Sequence, residues 1–227
     1  RKLAENGAKV AINYLSNEEA AKVSASEVKK FTNSYMLIKA NVADQKSVKR
    51  MVGLVEKDLG PVDLLVTNAG IAMMPNYPLD MNFETWKELM RVNVDGTYLP
   101  IGEVIHGMIK RGYGRVVCIS SIAGLGMRPN FISYGTSKAA VIALVRNIAA
   151  AAAPTVRINT VAPGLIDTEM IEALDESARK KMIENTPLKR IGRPEEIAET
   201  VLYLLSDRSS FTTGQTLVAD GGRQPLP

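Results

Sequence analysis

Short apolar stretches typical of β-strands alternate along the chain with longer stretches typical of α-helices, and this alternation restricts the fold more than any other feature. Strands are predicted over 9–15, 34–42, 62–70, 115–121, 156–164 and 214–222, and helices over 16–31, 45–59, 83–111, 133–153 and 194–206. Because parallel strands are joined by crossover helices, this order predicts one parallel sheet with helices on both faces. We therefore expect a single, doubly wound α/β domain over residues 1–227, in which the apolar stretch 62–70 is buried on both faces.

The composition excludes several functional classes. Apolar residues make up 46% of the chain and charged residues 23%, but no apolar run reaches the roughly 18 residues that would span a bilayer. The single cysteine, Cys118, excludes an internal disulfide and favours a reducing compartment, and the single histidine, His106, excludes histidine-rich metal sites. The net charge of +4 is scattered along the chain, so nucleic-acid and membrane partners are not expected. Small anions or an acidic carrier protein would suit such a field.

A tyrosine and a lysine four residues apart, Tyr134 and Lys138, lie near the start of the predicted helix 133–153. Residues at this spacing share one face of a helix, and a neighbouring ammonium group is expected to lower the pKa of the phenol. Such a tyrosine can give a proton to a ketone or take one from an alcohol. An ordinary surface tyrosine beside a surface lysine is the alternative, and the pair alone does not separate the two.

Ser121 ends the predicted strand 115–121, thirteen residues before Tyr134, so the strand end and the helix start can meet over one cavity. Its hydroxyl could bind a carbonyl oxygen and orient a developing alkoxide, or it could simply cap a turn. Side chains alternate along a strand, so only one of Ser120 and Ser121 is expected to face that cavity.

Ser121, Tyr134 and Lys138, together with the segments NAG (68–70), VNVDG (92–96) and VAPG (161–164), resemble the short-chain dehydrogenase/reductase family over essentially the whole chain. The segment PLKRIGRPEEIA (187–198) is most similar to the 3-oxoacyl-acyl-carrier-protein reductases of that family. The resemblance implies an NAD(P)-dependent oxidoreductase acting on CH–OH groups. It also implies a homotetramer in which helices 83–111 and 133–153 pair between subunits. A cytoplasmic location is expected, with organellar targeting as the alternative.

The same resemblance implies a role for each site residue. Tyr134 is the general acid/base, Ser121 binds the substrate oxygen, and Lys138 both tunes Tyr134 and holds the cofactor ribose. Asn93 anchors a water molecule that leads protons to Lys138. The residues implied to contact the cofactor, besides Tyr134 and Lys138, are Asn13, Asn41, Val42, Asn68, Ala69, Gly70, Pro163, Gly164, Ile166 and Thr168. Methionines expected to surround the site, either touching an acyl chain or packing, are Met73, Met74, Met81, Met127 and Met170. The segment 169–198 is expected to form a helical lid.

A glycine-rich turn after the first strand, which holds the cofactor pyrophosphate in a Rossmann-type domain, is missing from this sequence. The chain begins with RKLAENGAKV, which is typical of the last turns of a helix that stops at Gly7. The first strand is central in the usual order 3-2-1-4-5-6, so without it two unpaired, apolar edges are predicted in the middle of the sheet. We expect a strand, loop and half helix of roughly 20 residues to precede residue 1.

For the cofactor and for the reaction, the sequence predicts a preferred choice and leaves alternatives open. The segment NYLSN (13–17), at the end of the first predicted strand, starts at Asn13 and is followed by the next acid along the chain, Glu18. An acid there would bind the ribose of NAD and repel the phosphate of NADP, so NADP(H) is expected and NAD(H) is the alternative. The expected reaction is NADPH-dependent reduction of a ketone, preferably a 3-oxoacyl thioester of acyl carrier protein or CoA. The alternatives are a sugar, polyol or other secondary-alcohol dehydrogenase, and a non-catalytic binding or scaffold homologue.

Overall fold

Parallel strands alternate with helices in the computed structural model, which describes residues 1–73, 77, 79–168 and 176–224. The strands are β1 (Val10–Tyr14), β2 (Tyr35–Lys39), β3 (Leu64–Thr67), β4 (Gly114–Ile119), β5 (Val156–Pro163) and β6 (Thr216–Ala219). The helices are α1 (Lys2–Glu5), α2 (Glu18–Lys29), α3 (Gln45–Asp58), α4 (Phe83–Met90), α5 (Gly96–Arg111), α6 (Ile132–Ala152), α7 (Glu176–Glu184) and α8 (Pro194–Leu205). A π-helical turn, Arg91–Asp95, joins α4 to α5. Short 3-10 turns cover Ile122–Gly124, Pro129–Phe131 and Asp207–Ser209.

Side chains of β4 alternate between the two faces of the sheet. Val116 and Cys118 pack in one apolar cluster with side chains of α3, α5 and α6. Val117 points the other way and packs with Leu204 and Leu205 of α8. Helices therefore cover both faces, which confirms the predicted doubly wound α/β architecture.

The parallel strands fall into two groups with a cavity between them. Strands β3, β4, β5 and β6 pair in that order, and β1 pairs with β2 alone. The facing edges of β1 and β3 line a cavity of about 740 Å³, and no other described strand pairs with either edge. The two unpaired edges predicted for the middle of the sheet are thus confirmed.

This cavity also corrects one prediction. The stretch 62–70 was expected to be buried on both faces, but Leu64, Leu65 and Val66 are only partly buried. All three line the cavity, so one edge of β3 lacks the neighbouring strand that would cover it.

Local signals account for the helix ends that position the site. The Asp44 side chain accepts a 2.7 Å hydrogen bond from the Ser47 N–H at the start of α3. Gly7 follows α1 at φ 84° and Gly112 follows α5 at φ 77°, a left-handed conformation that glycine adopts without strain. No helix among the described residues is long and apolar enough to cross a membrane.

Candidate active site

Two glycines bring the turn that carries Ser121 directly against helix α6. A Cβ at Gly124 would lie 2.7 Å from the backbone of Lys138, and a Cβ at Gly135 would lie 2.9 Å from the carbonyl oxygen of Ala123. Neither approach is open to a residue with a side chain. The strand end and the helix start therefore meet over one site, as the sequence predicts.

The adjacent serines have different environments. Ser120 is 3% exposed, and its hydroxyl donates a 2.8 Å hydrogen bond to the Lys138 carbonyl oxygen. Ser121 lies on the other side, where its hydroxyl accepts a 3.1 Å hydrogen bond from the Ala123 N–H and also bonds the Tyr134 side chain. Ser121 therefore caps a turn and also faces the tyrosine, whereas its binding of a carbonyl oxygen stays a prediction.

The Tyr134 phenol is held in its neutral form. Burial raises its pKa, and the hydrogen bond with Ser121 offsets part of that rise. The lowering expected from the neighbouring lysine is thus contradicted in this structure, because the loss of water around a phenolate outweighs other effects. A neutral phenol at physiological pH is the form that can donate a proton.

Lys138 is a buried lysine beside this phenol. The residue is 5% exposed, and its Nζ lies 5.8 Å from the centroid of the Tyr134 ring. The Nζ donates a 3.2 Å hydrogen bond to the Ile119 carbonyl oxygen. Burial lowers the pKa of Lys138 from 10.5 to about 8, so the ammonium form still predominates at neutral pH.

Asn93 is 1% exposed and lies in the π-helical turn, where both polar atoms of its side chain form hydrogen bonds. The Oδ1 accepts a 2.8 Å hydrogen bond from the Ile71 N–H, and the Nδ2 donates to the Ile71 carbonyl oxygen at 3.0 Å. The Nδ2 also donates to the Ser137 Oγ at 2.9 Å. Asn93 therefore ties the chain after β3 to helix α6. One lone pair of Oδ1 stays available for a further donor such as water.

A small space separates Asn93 from Lys138, and it exists because residue 70 is glycine. A Cβ at Gly70 would lie 3.1 Å from both the Asn93 Oδ1 and the Lys138 Nζ. The space thus has a hydrogen-bond acceptor on one side and an ammonium donor on the other. A water molecule bound there could contact both groups, and the water position that the resemblance implies stays a prediction.

Ser137 is the functional candidate to which the sequence assigned no role. It is fully buried, accepts the hydrogen bond from Asn93, and donates a 2.7 Å hydrogen bond to the Tyr134 carbonyl oxygen. It is therefore the link between the asparagine and the tyrosine. The sequence signal was a small polar residue in the middle of an apolar helix, next to Lys138.

The cavity between β1 and β3 collects four of the residues implied to bind a cofactor: Asn13, Val42, Asn68 and Ala69. The Asn13 amide donates to the carbonyl oxygens of Ile38 and Ala40 at 3.2 and 3.0 Å, so its Oδ1 is the atom left for a ligand. Asn41 does not line the cavity. Its side chain accepts a hydrogen bond from the Ala43 N–H at 3.0 Å and shapes the turn after β2.

The chain after β5, which carries further residues implied to contact the cofactor, does not line this cavity. Gly164 packs so tightly on Asp220 that a Cβ would lie 2.6 Å from the Asp220 Cβ. Ile166 forms a β-bridge with Gly192, but the two hydrogen bonds of the bridge involve the Leu165 carbonyl oxygen and the Asp167 N–H. The N–H of Ile166 itself has no backbone partner among the described residues. Thr168 is exposed, and its hydroxyl donates to the Ile166 carbonyl oxygen at 3.3 Å. Pro163, at the end of β5, is partly buried.

These residues fit one end of a nicotinamide dinucleotide. The Lys138 ammonium carries three donors and uses one on Ile119 within the described residues, so two remain for acceptors such as a ribose hydroxyl or water. The Ile166 N–H suits a carboxamide oxygen. At the pyrophosphate end the cavity is walled by strand edges such as Val10 and Ala11, and no glycine-rich turn is among the residues that line it.

The remaining candidates give little chemistry. Met73, Met81 and Met127 are 41%, 68% and 92% exposed, so none is packed in the core. Met74, Met170 and the first part of the predicted lid, 169–175, lie outside the described residues, and α7 forms within the rest of that segment. Burial raises the pKa of Cys118 to about 12, which leaves it an unreactive thiol. In the part of the chain that the structure describes, no group of acidic, histidine or cysteine side chains could hold a metal.

Comparisons with known proteins agree with this geometry. Residues 1–224 match the family model described as enoyl-(acyl carrier protein) reductase. The chain is 36% identical over 221 residues to nodulation protein G of Azospirillum brasilense, covering 97% of this chain and 89% of the relative. It is also 36% identical over 221 residues to a 3-oxoacyl-[acyl-carrier-protein] reductase of Staphylococcus epidermidis, covering 97% of this chain and 90% of the relative.

Two solved structures superpose closely on the chain. A gluconate 5-dehydrogenase from Burkholderia cenocepacia, solved with NADP and tartrate, gives a TM-score of 0.89 at 32% identity. The match covers 97% of this chain and 87% of that one. A short-chain type dehydrogenase/reductase from Mycobacterium marinum gives a TM-score of 0.92 at 33% identity, covering 98% of this chain and 88% of that one.

Proposed function

The chain belongs to the short-chain dehydrogenase/reductase family and is an NAD(P)-dependent oxidoreductase acting on CH–OH groups, and we propose that it works as an NADPH-dependent ketone reductase. The observation that carries the proposal is the meeting of Ser121 and the neutral Tyr134 phenol at one site. The pKa of the phenol is raised, so the proton needed by a reduced carbonyl oxygen is in place at neutral pH.

The roles of Ser121 and Tyr134 follow from their contact. The two hydroxyls are hydrogen-bonded to each other, so a carbonyl oxygen that binds between them can accept from both. A bound nicotinamide supplies the hydride for the carbonyl carbon. Tyr134 then gives its Oη proton to the oxygen, and the O–H bond of the alcohol forms as the phenol O–H bond breaks.

Lys138 and Asn93 serve the phenolate that this step leaves. The Lys138 ammonium lies near the Tyr134 ring and stabilises its negative charge. Water in the space beside Gly70 would be anchored by the Asn93 Oδ1 and lie against the Lys138 Nζ. After Lys138 gives a proton toward the phenolate, this water would give one to Lys138 and so restore the ammonium group. The one Lys138 donor left after Ile119 and this water would hold the ribose, and Ile166 and Thr168 would hold the nicotinamide. The remaining cofactor surface would be contacted by Asn13, Asn41, Val42, Asn68, Ala69, Gly70, Pro163 and Gly164.

NADP(H) is the proposed cofactor. No acidic side chain follows β1 before Glu18, so nothing in the turn after β1 would repel the ribose phosphate. The gluconate 5-dehydrogenase neighbour was solved with NADP, which supports the same choice. Calorimetric titration with NADPH and with NADH tests it, and tighter binding of NADH would contradict it.

A 3-oxoacyl thioester on acyl carrier protein or CoA is the proposed substrate. Support comes from the segment 187–198 and from the similarity to 3-oxoacyl-[acyl-carrier-protein] reductases. Steady-state oxidation of NADPH with acetoacetyl-CoA, compared with a panel of sugars, polyols and other alcohols, tests the choice. Turnover of the thioester is expected, and turnover of a sugar acid alone would instead favour the dehydrogenase alternative that the gluconate 5-dehydrogenase neighbour suggests.

A non-catalytic scaffold is the other alternative, and the absence of a glycine-rich turn in this sequence is its support. The argument against a scaffold is that four polar side chains lie close together although a scaffold needs none of them: Asn93, Ser121, Tyr134 and Lys138. A segment that supplies a central strand would fit the cavity between β1 and β3, because both edges run parallel and face it. We also propose a homotetramer formed through α4, α5 and α6, which light scattering tests. A cytoplasmic location is proposed as well, because a single buried thiol suits a reducing compartment.

A further inference from the structure

Two arginines that the proposed reaction does not use come together beside the candidate active site. Arg128 precedes the turn Pro129–Phe131, and Arg223 follows β6, so they are far apart in sequence. Both side chains are partly buried. Burial lowers the pKa of Arg223, and the nearby positive charge of Arg128 lowers it further. Gln224, the residue after Arg223, accepts a hydrogen bond from Arg128, so the two side chains lie in one region of the surface, where their like charges favour a bound anion.

Arg128 is held in place by hydrogen bonds. Its Nη1 donates to the Met127 carbonyl oxygen at 2.9 Å, and its Nη2 donates to the Gln224 Oε1 at 2.6 Å. Gly126 lets the glutamine approach, since a Cβ there would lie 2.8 Å from the Gln224 Oε1. The fork of Arg128 is therefore preorganised.

Arg223 lies in a turn that is also fixed. The Asp220 carboxylate accepts from the Gly222 N–H at 2.9 Å and from the Gln224 N–H at 2.6 Å, so it organises the turn. Asp220 is the acid whose charge acts on Arg223. Within the described residues, however, the Arg223 guanidinium has neither a hydrogen bond nor an ion pair within 4 Å.

The arginine pair lies at the same end of the sheet as the proposed reaction. The Phe131 N–H donates to the Arg128 carbonyl oxygen at 2.9 Å, and the Phe131 ring lies 6.0 Å from the Tyr134 ring. The turn that carries Arg223 packs on Gly164, in the chain after β5. The loops after β4 and β6 thus carry both arginines at the end of the sheet where Ser121 and Tyr134 lie.

We propose that Arg128 and Arg223 form a subsite for an anionic group carried by the ketone substrate, a phosphate or a carboxylate. The inference rests on the proposed function, since the anion belongs to the substrate of that reaction. Arg128 offers a fixed charge and Arg223 offers free donors, an arrangement suited to oxyanions. The phosphate of a pantetheine arm and the carboxylate of a keto acid are the two sources of this chemistry.

The first test measures anion binding without cofactor or ketone. Thermal unfolding of the wild type is compared in inorganic phosphate and in chloride of equal ionic strength, with Arg223→Gln, Arg128→Gln and the exposed control Arg50→Gln beside it. A rise in Tm specific to phosphate is expected in the wild type and in Arg50→Gln, and its loss in the other two. No such rise in the wild type, or an equal rise in Arg223→Gln, would overturn the subsite. This readout holds even if no ketone is reduced.

The second test separates the two sources with matched ketones. Acetoacetyl-CoA is paired with the neutral thioester S-acetoacetyl-N-acetylcysteamine, and acetoacetate is paired with neutral ethyl acetoacetate. Arg223→Gln is expected to raise KM about tenfold for the charged member of one pair and to leave its neutral partner unchanged. Arg223→Lys should recover part of the loss. Equal KM values in the wild type and Arg223→Gln for both charged ketones would overturn the subsite while leaving the ketone reductase intact.

Discussion

Replacement of Lys138 by methionine should make the cofactor-free protein more stable while abolishing its activity. Folding lowers the pKa of this lysine from 10.5 to about 8, so the folded state disfavours the ammonium form that predominates at pH 7. At 1.36 kcal/mol for each pKa unit, the penalty is about 3 kcal/mol. Methionine keeps most of the apolar stem and carries no charge.

One favourable contact is lost in the same substitution. The Lys138 Nζ donates to the Ile119 carbonyl oxygen at 3.2 Å, and such a hydrogen bond contributes about 1 kcal/mol. The expected gain in the free energy of unfolding of Lys138→Met at pH 7 is therefore about 2 kcal/mol. The gain should be complete below pH 8 and should shrink as pH rises toward 10.5, because the lysine then becomes neutral in both states.

Urea unfolding followed by the fluorescence of the single tryptophan, Trp86, measures this gain from pH 7 to pH 10. The matched control is Lys110→Met, which changes an exposed lysine on α5 and should shift stability by less than about 0.5 kcal/mol. A Lys138→Met protein that is less stable than the wild type at pH 7, or whose gain is the same at pH 7 and pH 10, would refute the reasoning.

Three further outcomes are expected. Gly70→Ala should fold but lose about 100-fold in kcat/KM, because its Cβ would lie 3.1 Å from the Lys138 Nζ and the Asn93 Oδ1; wild-type kinetics would contradict this. Ser121→Ala should lose about 100- to 1,000-fold in kcat with little change in Tm. Ser120→Ala should instead lower Tm and keep kcat within a few-fold, because its hydroxyl bonds the Lys138 backbone. The reverse pattern would exchange the roles of the two serines. The kcat/KM for ketone reduction should fall above pH 8 as Lys138 loses its proton, and a profile that is flat to pH 10 would exclude it as the charged partner.

Periodicity predicted most of the fold because the strands and helices here are buried on one regular face. Alternation along the strand predicted that only one of Ser120 and Ser121 faces the site, and the strand pattern predicted the two unpaired edges that line the cavity. The π-helical turn at Asn93 was not predicted, since it depends on the tertiary hydrogen bonds of that side chain with Ile71 and Ser137.

The electrostatics of the site were predicted poorly. Sequence spacing shows that Tyr134 and Lys138 are neighbours, but it does not show how deeply either is buried. Burial raises the pKa of the tyrosine and lowers that of the lysine, and both changes depend on the packed structure. Arg128 and Arg223 escaped notice for a similar reason, because only the tertiary fold brings the loops after β4 and β6 together.

The most direct test of the account is a single-turnover measurement of NADPH oxidation with acetoacetyl-CoA by the wild type, Tyr134→Phe and Tyr35→Phe. Tyr35 lies in β2, away from the site, and serves as the matched control. The account predicts that the wild type and Tyr35→Phe oxidise NADPH at the same rate, and that Tyr134→Phe binds NADPH but is slower by about 100-fold or more. Equal rates in the wild type and Tyr134→Phe would contradict the assignment of the proton donor. A wild type that binds NADPH but reduces no ketone would contradict the proposed function itself.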